Sequence, residues 1–148
     1  MTQNNSTNEL IPLENVVLKH ANAGIALGAE HRFAESLEQW RLAAQLVDAN
    51  FEGEDLHYWV KRGYGAALHD VGRHRESIAV SKLVREWTLS LRQPLASMTI
   101  ARAYLALGEA EDAYPHIQDV RRLTGEEVFN LFERRYDADI RRALAAKA

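Results

Sequence analysis

Apolar residues return along this chain with the spacing of a helix, and no segment alternates apolar and polar residues as a strand would. Leu37, Trp40, Ala44 and Val47 share one face of a helix expected over 32–47, and 14–29 predicts its partner. Residues 55–71 and 73–92 read as a second pair, the latter ending on Leu83, Trp87 and Leu91 before Pro94. A third pair begins at Pro94, its first helix running to Leu107. Its second helix contains Pro115, which offers no N–H to the Glu111 carbonyl and is expected to kink or delay it. Val128, Phe132, Tyr136, Ile140 and Leu144 then follow at steps of four. Thr124-Gly-Glu-Glu127 ahead of them has the spacing of a capping box, so one last helix is predicted over 125–147.

A finer pattern repeats inside these pairs. Gly65, Leu68, Gly72, Ser77, Ser81 and Val84 stand at offsets 0, 3, 7, 12, 16 and 19. Gly24, Leu27, His31, Ser36, Trp40 and Ala43 occupy the same offsets upstream, and Ala101, Tyr104, Gly108, Ala113, Ile117 and Val120 do so downstream. Small residues at offsets 0 and 12 let two helix backbones approach closely, and larger ones at 3, 16 and 19 fill the space around that contact. The turn falls at offset 7, where a glycine can take the positive φ that closes a helix; His31 holds that place in the first copy. A single hairpin cannot bury its own apolar faces, so three copies predict stacked repeats with a cover for the last one.

These residues resemble the tetratricopeptide repeat. Gly24, Trp40 and Ala43 match in the first copy, Gly65 and Gly72 in the second, and Tyr104, Gly108 and Ala113 in the third. Departures are the missing closing proline, Ser at Ser36 and Ser77, and spacings of 41 and 36 residues. The resemblance covers roughly residues 17 to 124. It implies an all-α fold: an α-α superhelix of three helical hairpins over about 17–50, 55–92 and 94–124, capped by the helix at 125–147. One domain over 10–148 is expected, behind a polar, disordered N-terminus at 1–9. The acidic segment Asp48–Asp55 reads as a solvated loop between repeats, or as an acidic lip beside a groove.

In that family the first helix of each repeat lines a concave groove that binds a peptide or a helix. Carried along the frame, the groove would take Leu18, Ala21 and Ile25 from repeat one. Repeat two would give Trp59, Arg62, Ala66 and His69, and repeat three Leu95, Met98, Arg102 and Leu105. Such a wall suits a protein or peptide partner with apolar anchors and an acidic residue, with the Arg62 and Arg102 heads expected to stay in water. The Lys and Asn clamp by which some relatives grip a C-terminal carboxylate is replaced here by Ala21, Ile25, Gly63, Leu95 and Thr99. The layout is similar to small secretion chaperones of this class. A second resemblance, to PerC-type transcriptional regulators of enteric bacteria, rests on Arg32-Phe33-Ala34, Trp40-Arg41 and Trp59-Val60-Lys61-Arg62.

Composition narrows the chemistry. The 148 residues include no cysteine, which removes disulfides, thiol catalysis and Cys-based metal sites. A formal charge of −3 argues against a general phosphate-backbone binder. The arginine pairs Arg121-Arg122, Arg134-Arg135 and Arg141-Arg142 alternate with acids, as on a solvated helix face. No apolar run reaches the roughly 18–20 residues of a membrane span, and no signal sequence opens the chain, so a cytoplasmic protein is expected. The six histidines form no HExxH, and no nucleophile elbow or phosphate loop is present. No cofactor, metal or catalytic residue is therefore expected. A homodimer remains an alternative use for the final helix.

Overall fold

The computed structural model describes residues 12–146; the reading of 1–9 lies outside the described residues. Seven α-helices follow one another among these residues, and no strand. They are α1 Leu13–Ala29, α2 Phe33–Asn50, α3 Asp55–Asp70, α4 His74–Ser90, α5 Leu95–Ala106, α6 Ala110–Thr124 and α7 Asp137–Ala145. Contacts divide the chain into two compact units, Met1–Val60 and Lys61–Ala148, where the sequence reading has a single domain. The boundary falls inside α3 and not at the acidic loop, because the division follows packing and not composition.

In the first unit α1 packs on α2. Gly24 lies against the Trp40 indole so closely that a Cβ there would come within 2.6 Å of Nε1. The Ser36 hydroxyl, buried, donates to the Gly24 carbonyl at 2.7 Å. Trp59 at the start of α3 stands 6.0 Å from Trp40, ring centre to ring centre. The acidic segment is latched by His57. Its Nδ1 accepts the Gly53 N–H at 3.1 Å, so Nε2 carries the hydrogen and donates to Asp48 at 2.8 Å.

The second unit repeats the device. Ser77, fully buried, donates to the Gly65 carbonyl at 2.7 Å, the same offsets as Ser36 and Gly24. In the third copy both positions are alanine, Ala101 and Ala113, and both are fully buried. The serines at offset 12 are thus bonds between helices. α4 packs on α5, α5 on α6 and α6 on α7. The main core joins Met98, Leu105, Ile117 and Val120 to Val128, Phe132 and Ile140.

The turns follow the frame. His31, Gly72 and Gly108 all have positive φ, at 61°, 85° and 77°. In each, the next residue's N–H reaches back to the third-last helical carbonyl at 2.9 Å: Arg32 to Leu27, Arg73 to Leu68, Glu109 to Tyr104. These are Schellman closures. A fourth, at Arg92 with φ 56°, closes α4. α2 and α4 also open alike, since Arg32 and Arg73 each grip the glutamate three residues on, Glu35 and Glu76, through two nitrogens.

Three expectations are corrected. Pro115 does not delay α6, which begins at Ala110 and runs through it. The last helix is not continuous over 125–147. It is two 3-10 segments, Gly125–Asn130 and Arg134–Tyr136, followed by α7. Thr124 does not cap; its hydroxyl donates back to the Val120 carbonyl at 2.8 Å, so it finishes α6. Gly125 then takes φ 63° and ψ −137°, which breaks the helical path. The apolar ladder still covers the third hairpin, because Val128, Phe132 and Ile140 are buried despite the break.

Candidate functional site

The second unit carries a cleft of about 360 Å³ at the turn between α3 and α4. His69 and Asp70, the last residues of α3, form one side with Gly72 and His74. Arg102 and Ala106 of α5 form the floor, and Phe132, Glu133, Arg135 and Tyr136 close it from the segment before α7.

The Schellman turn at Gly72 folds α4 back so that His74 meets His69, Nδ1 to Nδ1 at 3.0 Å. Two facing ring nitrogens at that distance share one hydrogen. Burial pushes His69 down to about 4, with the charge of His74 and Arg102 acting the same way and Glu133 opposing them. His69 is therefore uncharged at neutral pH.

Arg102 lies with its guanidinium carbon 5.8 Å from the centre of the Phe132 ring. Its Nη2 donates to the Leu131 carbonyl at 2.6 Å, which ties α5 to the segment over it. Burial lowers its pKa, while Asp70 and Glu133 favour its charged form. Arg62 is half-buried too, donates to Gln93 at 3.0 Å, and is pushed down by burial. The expectation that both heads stay in water is overturned: each crosses to a neighbouring element and bonds there. Arg135 is the open cation of the cleft. Its Nε meets Glu133 at 2.7 Å with both side chains 67% exposed, and its guanidinium sits 4.7 Å from the centre of the Tyr136 ring.

The structure brings His69 and Arg102 together and distributes the other expected groove residues differently. Met98 and Leu105 are buried in the main core, a correction to their place on an open wall. The reason is the segment after α6, whose Val128 and Phe132 join that same core. Ala66 is half-buried in α3. Ile25, half exposed at 51%, and Trp59 belong to the first unit. Sequence reasoning missed His74, Phe132, Glu133, Arg135 and Tyr136 as cleft residues. The signal was present in the Arg134-Arg135 pair, but a continuous helix would not have aimed these side chains this way.

A second polar cluster has a structural explanation. Asp119, 1% exposed on α6, accepts from Arg85 Nε of α4 at 2.8 Å and from the Ser97 hydroxyl of α5 at 2.9 Å, and pairs with Arg122. A buried carboxylate needs such partners, and here they join three helices. His116 stacks on Tyr104 nearby, and burial holds it down to about 4. Among the described residues no three His, Asp or Glu side chains are grouped to hold a metal ion. None of the helices there is long and apolar enough to cross a membrane. No family model matches the chain, and no curated protein matches it.

Proposed function

We propose that this protein is a non-enzymatic interaction module, a degenerate tetratricopeptide-type domain that holds a partner peptide at the cleft of its second unit. The observation that carries this reading is one cleft that brings the cations Arg102 and Arg135 together with the apolar Ala106 and Phe132. An acidic side chain on the partner would meet the guanidinium groups, and an adjacent apolar side chain would rest on the floor. Charge-assisted bonds are strong where water is partly excluded, and Arg can bind a carboxylate through two nitrogens. An adaptor or chaperone role follows if the segment belongs to another folded or secreted chain.

The test is to pan a displayed library of random peptides on the intact protein and on Arg135→Glu. Arg135 sits in an exposed pair worth ~0–1 kcal/mol, so the variant should melt within a few degrees of the parent. Peptides enriched in Asp or Glu beside apolar residues, and lost on Arg135→Glu, are the expected result. No enrichment, or enrichment that survives the reversal, would overturn the reading.

A further inference from the structure

We infer that Glu133 is an internal stand-in for the partner's carboxylate, so that the chain competes with its own ligand. The inference rests on the peptide-binding reading above and adds the group that sets the threshold for binding.

Glu133 has extended backbone, φ −62° and ψ 143°, just before the 3-10 turn Arg134–Tyr136. The backbone around it is pinned. Phe132 on one side is 7% exposed in the core, and the Leu131 carbonyl is held by Arg102. On the other side the Tyr136 N–H donates to the Glu133 carbonyl at 2.9 Å. The wall of the cleft therefore holds an acid at a fixed backbone position, the group proposed for the partner.

Its carboxylate meets the exposed cation that a partner would need. It pairs with Arg135 at 2.7 Å, and its charge favours the protonated form of Arg102 in the same cleft. The pair with Arg135 is mostly in water, and exposed pairs are weak enough to exchange. An entering carboxylate can displace Glu133 from Arg135 but must first overcome its repulsion. A neutral peptide gains nothing from the exchange. Apparent affinity is lowered by the fraction of molecules in which the cation is already taken. Self-occupancy by an exposed pair should cost about 2–5-fold in affinity.

The experiment uses the full chain and two fluorescein-labelled probes, an extended peptide of alternating Leu and Glu and its Leu–Gln counterpart. Binding is read by anisotropy for the parent, Glu133→Gln and Arg135→Gln, with melting curves for each. Glu133→Gln should bind the Leu–Glu peptide about 2–5-fold more tightly, less so at high salt, and leave the Leu–Gln peptide unchanged. Arg135→Gln should weaken the Leu–Glu peptide. If Arg135→Gln weakens binding and Glu133→Gln does nothing, the stand-in is overturned while the proposed function survives. If neither the parent nor Glu133→Gln binds the acidic probe, both fall. Tighter binding of both peptides by Glu133→Gln would also overturn the inference, since a general loosening and not a freed cation would be the cause.

Discussion

Ser36 and Ser77 each hold a hairpin together by one hydroxyl, and each is nearly or fully buried. The acceptor is a helical carbonyl whose second lone pair would otherwise have no partner. Replacing either by alanine keeps the close approach and removes the bond, so each should cost ~0.5–1.5 kcal/mol. Urea titration of the two single variants checks this. Gly24→Ala should cost more, ~1–3 kcal/mol, because the new methyl meets the Trp40 ring 2.6 Å away and a packed indole has little room to move. The small-residue positions were legible from spacing alone. The reason for serine there was not, because a pattern of sizes carries no information about which carbonyl lies opposite.

Turns and ends of helices are where reading by element succeeded and failed. All three offset-7 residues have the expected positive φ, including His31, whose φ of 61° is a conformation an L-residue pays for with strain. His31→Gly should therefore gain roughly 0.5–1 kcal/mol, less whatever the edge contact of His31 with Phe33 contributes. Gly108→Ala should lose about 1 kcal/mol by the same argument reversed. Thermal melts of the two variants should move in opposite directions. The capping box at Thr124 misled because a motif of four residues cannot tell a helix start from a helix end. Here the Thr hydroxyl is already used by Val120, and the glycine beside it turns the chain away. The apolar ladder beyond was read correctly as a cover. Deleting 125–148 removes Val128, Phe132 and Ile140 from the main core. At ~1.5–3 kcal/mol each, this is comparable with the ~5–15 kcal/mol that holds a whole domain together. The truncated chain should aggregate or lose its cooperative melt.

At the scale of the molecule the second unit carries two acid-sensitive groups. His69 and His116 both lie there, and burial is the main cause holding each near 4 against an ordinary 6.5. A histidine with a depressed folded pKa takes up its proton more readily when unfolded. Its contribution is complete above about pH 6.5 and is lost progressively as pH falls toward 4. Urea midpoints should therefore fall between pH 7 and pH 4.5. His116→Phe, which keeps a flat ring against Tyr104, should flatten part of that fall. The all-helical class and most helix bounds were legible in the sequence because periodicity is a local signal. The division into two units was not, since its boundary lies within an unbroken helix. Nor was the cleft, which is built by a turn, a broken helix and two arginines that find their partners only after packing.

Gly125 carries a further consequence. With φ 63° and ψ −137° it occupies a corner that is the mirror image of ordinary extended backbone. A Cβ placed there would touch nothing within 4 Å. A saturation library should therefore show losses at this position for every substitution, small or large, in an otherwise open site. Such a column resembles the signature of a contact residue, yet its origin is handedness. Chemical synthesis can separate the two causes. D-alanine at 125 adds the same methyl as L-alanine but finds this backbone relaxed, so the protein should accept the one and reject the other.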